Sequence, residues 1–590
     1  MCGVTATFGK NFFSKNKINQ SIKLMEHRGP DDKNTKCLIK ENICLGQSRL
    51  TINDLTKNGQ QPIVFKDIYL ICNGEIYNYY ELKNKHFTNK VFRSRSDSEI
   101  IIHSYLKWGD KFLDFIEGMF AFILWDNKKK YLIAARDSLG IKPLYFYQIK
   151  KNIVLSSEIN GLLPYLQKFK INKKSLQQLF KYNFISPPES IVKDVKKLKA
   201  GEILTIKNNR IKIRRYHNFN FGKKNIKESD ISSFKKLLTS VINENFNLSD
   251  RKVGLFLSSG KDSLGIFSMI KSKIFKISIN NKDKEADKLT KILIKDKVDQ
   301  KIELRDKINY SKIIYKISKT IDEPLFSMNL FFTYFLCDFA KKNKLKVVLS
   351  GSGGDELFNS YDWHKIKIFP FKNIFIKLIN FIFRFLKIIG LNKNRMSKIT
   401  NKELYLDQYL GQVYSNFSEK NFSNIFYKKN YNFKANFIFK KNIRQNLILN
   451  DIYNYCGYQH SQIIDKISMM HHVEVRVPYF DRRLFDYLLK YKNTRGNSYK
   501  YILDEILRNS DKIQNIDNTK IGGRFIFSPD QHTLNSWSKT IHKNKNLLNK
   551  YFNMDYIGQL DPKNNYKLYY FIFFFLNWYN AMNKKFKLYN

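Results

Sequence analysis

Val253-Gly254-Leu255-Phe256-Leu257-Ser258-Ser259-Gly260-Lys261-Asp262-Ser263 decides how the larger part of this chain folds. It opens with five residues that carry no polar side chain, too short a run for a helix and without polar alternation, which predicts a strand buried on both faces. A turn of small residues follows, and Leu264 begins a stretch compatible with a helix. Glycine and serine at such a turn let backbone N–H groups approach a phosphate, and the helix N-terminus adds a field favourable to anions. The spacing is not the Gly-x-x-x-x-Gly-Lys-Ser/Thr loop of ordinary ATPases.

Strand–helix alternation runs on from Ile231. A second buried strand is predicted at Leu345-Lys346-Val347-Val348-Leu349, with a helical stretch, Phe331 to Lys342, before it. This pattern implies a parallel α/β sheet. The second strand ends in Ser350-Gly351-Ser352-Gly353-Gly354-Asp355-Glu356-Leu357-Phe358, another loop of small residues. Loops at the carboxyl ends of parallel strands share one crevice, so the two loops are expected to converge on one ligand. Asp262 and Asp355 then become candidates for holding Mg²⁺ against phosphate oxygens, although helix N-capping is an equally natural role for both. Beyond about Tyr361 the pattern is mainly helical.

The residues before 207 read differently. Tyr69-Leu70-Ile71-Cys72 and Ala121-Phe122-Ile123-Leu124-Trp125, bounded by turn residues, predict a β-rich region with short helices. Lys207 to Glu228 is polar and basic and is expected to be a linker. The chain begins Met1-Cys2-Gly3-Val4, so removal of the initiator methionine would expose a cysteine. Such a residue carries a nucleophilic thiol and an α-amino group of pKa about 7.7–8.0 that can act as its own general base.

A length of 590 residues calls for two or more domains. The six cysteines show no Cys-x-x-Cys pair, so no zinc site or disulfide framework is readable, and no secretory apolar segment follows Met1. A reducing cytoplasm is the expectation. The formal charge of +52 is spread along the whole chain together with abundant Asn, Ile, Phe and Tyr, residues that share A/T-rich codons. With no nucleic-acid-binding motif beside it, the charge predicts no specific nucleic-acid partner. The apolar run Tyr569 to Leu576 is far shorter than the ~20 residues needed to span a bilayer. In Phe371 to Leu391, Asn373, Lys377, Asn380, Arg384 and Lys387 recur at helical spacing, which predicts an amphipathic helix packed against the protein body.

Together these features resemble the glutamine-hydrolysing asparagine synthetases over nearly the whole chain. The first part is similar to class II glutamine amidotransferase domains in Cys2-Gly3, His27-Arg28-Gly29-Pro30-Asp31, Arg49-Leu50-Thr51-Ile52, Asn73-Gly74-Glu75-Ile76-Tyr77-Asn78 and Ser96-Asp97-Ser98-Glu99. Further matches are Glu117-Gly118-Met119-Phe120-Ala121, Ala135-Arg136-Asp137, Lys142-Pro143-Leu144-Tyr145 and Ser156-Ser157-Glu158. In the second part, the first loop resembles the Ser-Gly-Gly-x-Asp-Ser pyrophosphate loop of enzymes that split ATP into AMP and pyrophosphate. Asp322-Glu323-Pro324, Asp465-Lys466-Ile467-Ser468-Met469, Glu474-Val475-Arg476-Val477-Pro478 and Asp481 extend the likeness.

The resemblance implies a mixed α/β and α+β protein. Residues 2–205 would form an αββα sandwich of the Ntn-hydrolase kind, 206–230 a linker, and 231–590 an ATP-pyrophosphatase-type parallel-sheet domain with added helices. Cys2 would attack the side-chain amide of glutamine, with Asn73 and Gly74 as the oxyanion hole. Arg49 would pair with the substrate carboxylate, Glu75 and Asp97 would receive its ammonium group, and Leu50 and Ile52 would complete that pocket. ATP would be bound by Leu257, Ser258, Ser259, Gly260, Asp262, Ser263, Ile279, Ser350, Gly351 and Lys520, with Mg²⁺ on Asp262 and Asp355. Ser352 and Asp355 would serve acyl-adenylate formation.

Two residues depart from the family pattern. Ser259 replaces a glycine of the pyrophosphate loop, which is costly only if φ there is positive. Ser352 stands where a carboxylate is usual, and a serine is no efficient base at neutral pH without a partner. Three outcomes therefore remain open: amidation of aspartate, the default; the same chemistry on another carboxylate, such as a surface-glycan uronic acid; or an ATP-binding regulator without turnover. A homodimer is compatible with each.

Overall fold

The computed structural model describes residues 2–280, 300–303, 308–361, 416, 419–426, 443–492, 498–513 and 527–589. Lys520 and the Phe371–Leu391 segment lie outside them.

The first part is built on two six-stranded antiparallel sheets. One runs in the order Val195–Lys197, Tyr145–Ile149, Asn152–Ser156, Cys2–Phe8, Ile43–Arg49, Asp32–Leu38, and the other Arg210–Arg215, Glu202–Lys207, Tyr131–Arg136, Gly118–Asp126, Ile68–Ile76, Ile63–Phe65. Alternating residues from both sheets, among them Val4, Ala6, Leu45, Ile71, Ala121, Ile123, Trp125 and Ala134, form the layer between them. Helices Lys15–Leu24 and Glu99–Trp108 pack on the outer faces, which gives the αββα sandwich that the resemblance implies.

The segment expected to be a linker is in part a strand. Arg210–Arg215 pairs in register with Glu202–Lys207, Ile203 opposite Arg214 and Ile206 opposite Ile211, so the sheet continues past residue 205. It lies at the sheet edge with mostly exposed side chains, and an edge strand of that kind has the same basic, polar composition as a linker. A second correction concerns the cysteines. Cys37 and Cys44 face each other directly across two antiparallel strands and are joined as a disulfide. Strand register, not sequence spacing, brings them together, and the bond removes the cysteine argument for a reducing compartment.

The second part is a five-stranded parallel sheet in the order Gln300–Glu303, Phe275–Asn280, Val253–Phe256, Val347–Ser350, Glu474–Arg476. Counted along the chain this is 3-2-1-4-5, so the topological switch point falls between Val253–Phe256 and Val347–Ser350, the two strands that carry the small-residue loops. Glu474–Arg476 is a strand that the sequence does not announce, because three residues with charged ends show no strand pattern. The C-terminal helix Tyr566–Tyr589 buries Tyr570, Phe571, Phe574 and Trp578 against the second part and Phe169. Among the described residues, no helix is long and apolar enough to cross a membrane.

Trp125 is fully buried between the two antiparallel sheets, with its ring centre 6.3 Å from that of Phe8. Trp125→Ala should cost about 3–5 kcal/mol and lower the urea midpoint of the first unfolding transition. An unchanged midpoint would place the ring outside the stabilising core.

Candidate active site

Cys2 sits at the start of a central strand, opposite Arg49 in the pairing. Its backbone N–H donates to Asn73 Oδ1 at 3.0 Å, while Asn73 Nδ2 is buried with no partner among the described residues. A buried amide N–H₂ left unpaired beside a thiol is costly unless something else accepts from it, and a carbonyl oxygen turning anionic is such an acceptor. Gly74 follows with φ of 153°, and a Cβ there would strike the Met119 carbonyl, so only glycine fits. Burial pushes the Cys2 thiol up, and a backbone hydrogen bond from Leu50 and the nearby Arg49 oppose that rise.

The groups expected to hold the substrate surround this pair. The Arg49 fork is fixed by the carbonyls of Thr56 at 3.2 Å, Asn53 at 3.3 Å and Asp54 at 2.5 Å. Asp97 Oδ2 accepts from Ile76 N–H at 2.6 Å. Burial raises the Asp97 carboxyl to about 6, and it holds Glu75 well above the carboxylate range with help from Glu474 and Asp97. Leu50 and Ile52 are buried alongside. Asn53, which sequence reasoning missed, donates from Nδ2 to Glu75 Oε2 at 2.5 Å and reaches Asp97 Oδ1 at 3.5 Å. A donor between two carboxylates marks the same electrostatic niche that an α-ammonium group requires.

At the switch point of the parallel sheet the two loops do converge. A Cβ on Gly351 would lie 2.7 Å from Ser263 N, and one on Gly354 would strike the Asp262 carboxylate. Ser263 Oγ ties the first loop together: it accepts from Ser258 N–H at 3.0 Å and donates to the Ser258 or Gly260 carbonyl. Ser259 is absent from the residues with positive φ, so its side chain is accommodated without backbone strain. Leu257 is buried and donates its N–H to Ile277 O at 2.8 Å, and Ile279 lies on the adjacent strand. In the second loop Ser350 Oγ and Ser352 Oγ are 2.9 Å apart.

Between the loops lies a residue that the sequence reading did not single out. Lys500 Nζ, at the start of helix Lys500–Arg508, donates to Asp262 and, at 3.3 Å, to Asp355 Oδ1. Both carboxylates therefore face one cation position, and despite burial Asp262 and then Asp355 hold the ammonium charged. Among the described residues no group of three or more His, Cys, Asp or Glu side chains is gathered for a metal ion. A helix-starting lysine carries no local signal that could have revealed this role.

Two buried arginines join the halves. Arg28 Nε donates to the Cys2 carbonyl at 3.1 Å, and its amino groups reach Glu158 at 2.9 Å and Asp465 at 3.0 Å. Arg476, on the edge strand of the parallel sheet, lies 3.4 Å from Glu75 and donates to Glu474 at 2.6 Å and to the Asn245 carbonyl at 2.7 Å.

Comparison with known proteins bears on both halves. A family profile described as "Glutamine amidotransferase domain" matches residues 1–217, and one described as "Asparagine synthase" matches residues 234–563. The chain is 27% identical to asparagine synthetase (glutamine-hydrolyzing) 1 of Bacillus subtilis over 628 aligned positions, 99% of this chain and 97% of that protein. It is 33% identical over 427 positions to a Methanocaldococcus jannaschii protein named "Putative asparagine synthetase (glutamine-hydrolyzing) 2", covering 66% of this chain and 80% of that one.

The raised Asp97 carboxyl gives a pH prediction. Its charged form attracts an ammonium group, and that form is lost as pH falls through about 6. The kcat/KM for glutamine hydrolysis should therefore drop below that pH, and Asp97→Asn should lower the value above pH 6 towards the wild type's acid level, flattening the limb. A wild-type profile flat from pH 7 to 5 would contradict it.

Proposed function

The chain belongs to the asparagine synthase family, with a glutamine amidotransferase domain ahead of the synthase part, and on that premise we propose that it amidates a carboxylate at the expense of ATP, with aspartate as the acceptor. The observation that supports this reading most is the meeting of both small-residue loops at the switch point, with Asp262, Asp355 and Lys500 gathered there. Backbone N–H groups of Ser258–Ser263 and Ser350–Gly351 would receive phosphate oxygens. Lys500 would turn from the two aspartates to the phosphates, leaving Asp262 and Asp355 to hold Mg²⁺, and Lys520 would reach the same phosphates. The metal, when bound, neutralises charge on the departing pyrophosphate. The acceptor carboxylate displaces pyrophosphate from the α-phosphorus, and ammonia then displaces AMP from the acyl carbon.

Ammonia comes from the other half. Cys2, with methionine removed, attacks the glutamine amide; Asn73 Nδ2 and Gly74 N–H receive the developing oxyanion, and water clears the thioester as glutamate. Arg49, Glu75 and Asp97 set the orientation of the amino acid.

A panel of carboxylates assayed for pyrophosphate release with glutamine and ATP tests the acceptor. Release should depend on aspartate. Release with only a different acid, such as a uronic acid, would replace the acceptor, and release with none would favour an ATP-binding regulator. Asp262→Ala and Asp355→Ala should abolish pyrophosphate release while glutamine hydrolysis stays measurable, because both residues belong to the parallel-sheet half and Cys2 to the other. Near-normal release with intact Mg²⁺ dependence would make either residue a helix cap.

A further inference from the structure

The Arg476 side chain is wholly buried, and its three nitrogens point in three directions. Nε donates to Glu474 Oε1 at 2.6 Å and Nη1 to the Asn245 carbonyl at 2.7 Å, both in the parallel-sheet half. Nη2 makes no hydrogen bond among the described residues, and it lies 3.4 Å from Oε2 of Glu75, on the strand Ile68–Ile76 of the other half. Two contacts therefore fix the guanidinium in its own half, and the third nitrogen is presented across the boundary.

What it faces is a concentration of buried carboxyl groups. Glu75, Asp97 and Glu474 are all buried, and Asn53, which reaches Glu75 at 2.5 Å and Asp97 at 3.5 Å, is neutral. Asn53 fixes geometry and supplies no charge. Among the described residues Arg476 is the one cation within ion-pair distance of Glu75. Burial, Glu474 and Asp97 push the Glu75 carboxyl well up, and Arg476 opposes them. Burial works against the charge of Arg476 as well, but Glu474 and then Glu75 hold it. A carboxyl group in a dry site attracts an ammonium group only as far as it ionises, and a neighbouring cation favours its charged form by roughly ten- to a thousandfold.

We propose that Arg476 is a positioning residue that sets the specificity for the α-ammonium group of glutamine: from the parallel-sheet half it orients Glu75 and draws it towards its charged form. The incoming ammonium group completes the ionisation that Arg476 has begun. A fork is needed for this, because a single ammonium nitrogen cannot face Glu474, the Asn245 carbonyl and Glu75 together. The pocket that selects glutamine is therefore composite. Arg49, Asn53, Glu75 and Asp97 come from the first half, and Arg476 comes from the strand Glu474–Arg476 of the second.

The proposal rests on the reading that Glu75 and Asp97 receive the substrate ammonium group, and variants of the full-length protein separate the two. Glutaramate, which is glutamine without its α-amino group, is measured as a competitive inhibitor of glutamine hydrolysis, and its Ki is set beside kcat/KM for glutamine. In Arg476→Gln the value for glutamine should fall about tenfold, through KM with kcat little changed, while the Ki for glutaramate stays as in the wild type. Arg476→Lys keeps a charge on Glu474 and has no second nitrogen for Glu75. It should show the same selective loss, and it decides the matter should Arg476→Gln fail to fold. Glutamine and glutaramate weakened alike, or neither weakened, would overturn the assignment of Arg476, because a contact that only braces the two halves cannot tell these ligands apart. Glu75→Gln tests the underlying reading: it should also lose glutamine selectively. An unchanged KM in Glu75→Gln would overturn the placing of the ammonium group on Glu75, and the role of Arg476 with it.

Discussion

Arg28 is wholly buried, and everything else about the two halves depends on how its charge is satisfied. The guanidinium bonds at once to the Cys2 carbonyl, to Glu158 of its own domain and to Asp465 of the other. Despite burial, Asp465 and then Glu158 hold it charged. An ion pair in such a place adds little net stability over apolar packing, but removing one partner strands a charge and costs about 3–5 kcal/mol. The contact thus acts as a geometric constraint: the strand that begins at Cys2 cannot shift relative to the helix bearing Asp465 without breaking it. Lys142 at 3.6 Å from Asp465 and Lys466 against Asp322 extend the same buried network.

The second join has a different character. Glu75 is bound on one side by Asn53 and on the other by Arg476, which belongs to the parallel sheet of the nucleotide half. A ligand that competes for Glu75 must therefore alter the surroundings of Arg476, and the Glu474–Arg476 strand pairs with the strand leading into the second phosphate loop. Two side chains and one strand pair thus connect Glu75 to the loop that follows Val347–Ser350.

How much of this was legible in the sequence follows from which residues act locally. Cys2 and the two loops announce themselves, because a cysteine next to the initiator methionine and small residues between strand and helix are local features, whereas Gly74 came only with the family resemblance. Ser259 departs from the family pattern in the sequence, and its backbone avoids the left-handed region that would strain a serine. Arg210–Arg215 was hidden because an edge strand has the composition of a linker. Asn53, Lys500 and the Cys37–Cys44 disulfide were out of reach for a shared reason. Each acts across the fold, through a partner that register or topology alone brings near.

The central claim is that one half makes ammonia and the other consumes it. It is tested most directly by measuring amide synthesis in Cys2→Ala with glutamine and with ammonium as alternative nitrogen sources. Glutamine-driven synthesis should vanish, and ammonium-driven synthesis at alkaline pH should persist near the wild-type rate, since free NH₃ reaches the adenylate without the first domain. Equal loss with both nitrogen sources would contradict the two-site account and leave Cys2 a structural residue.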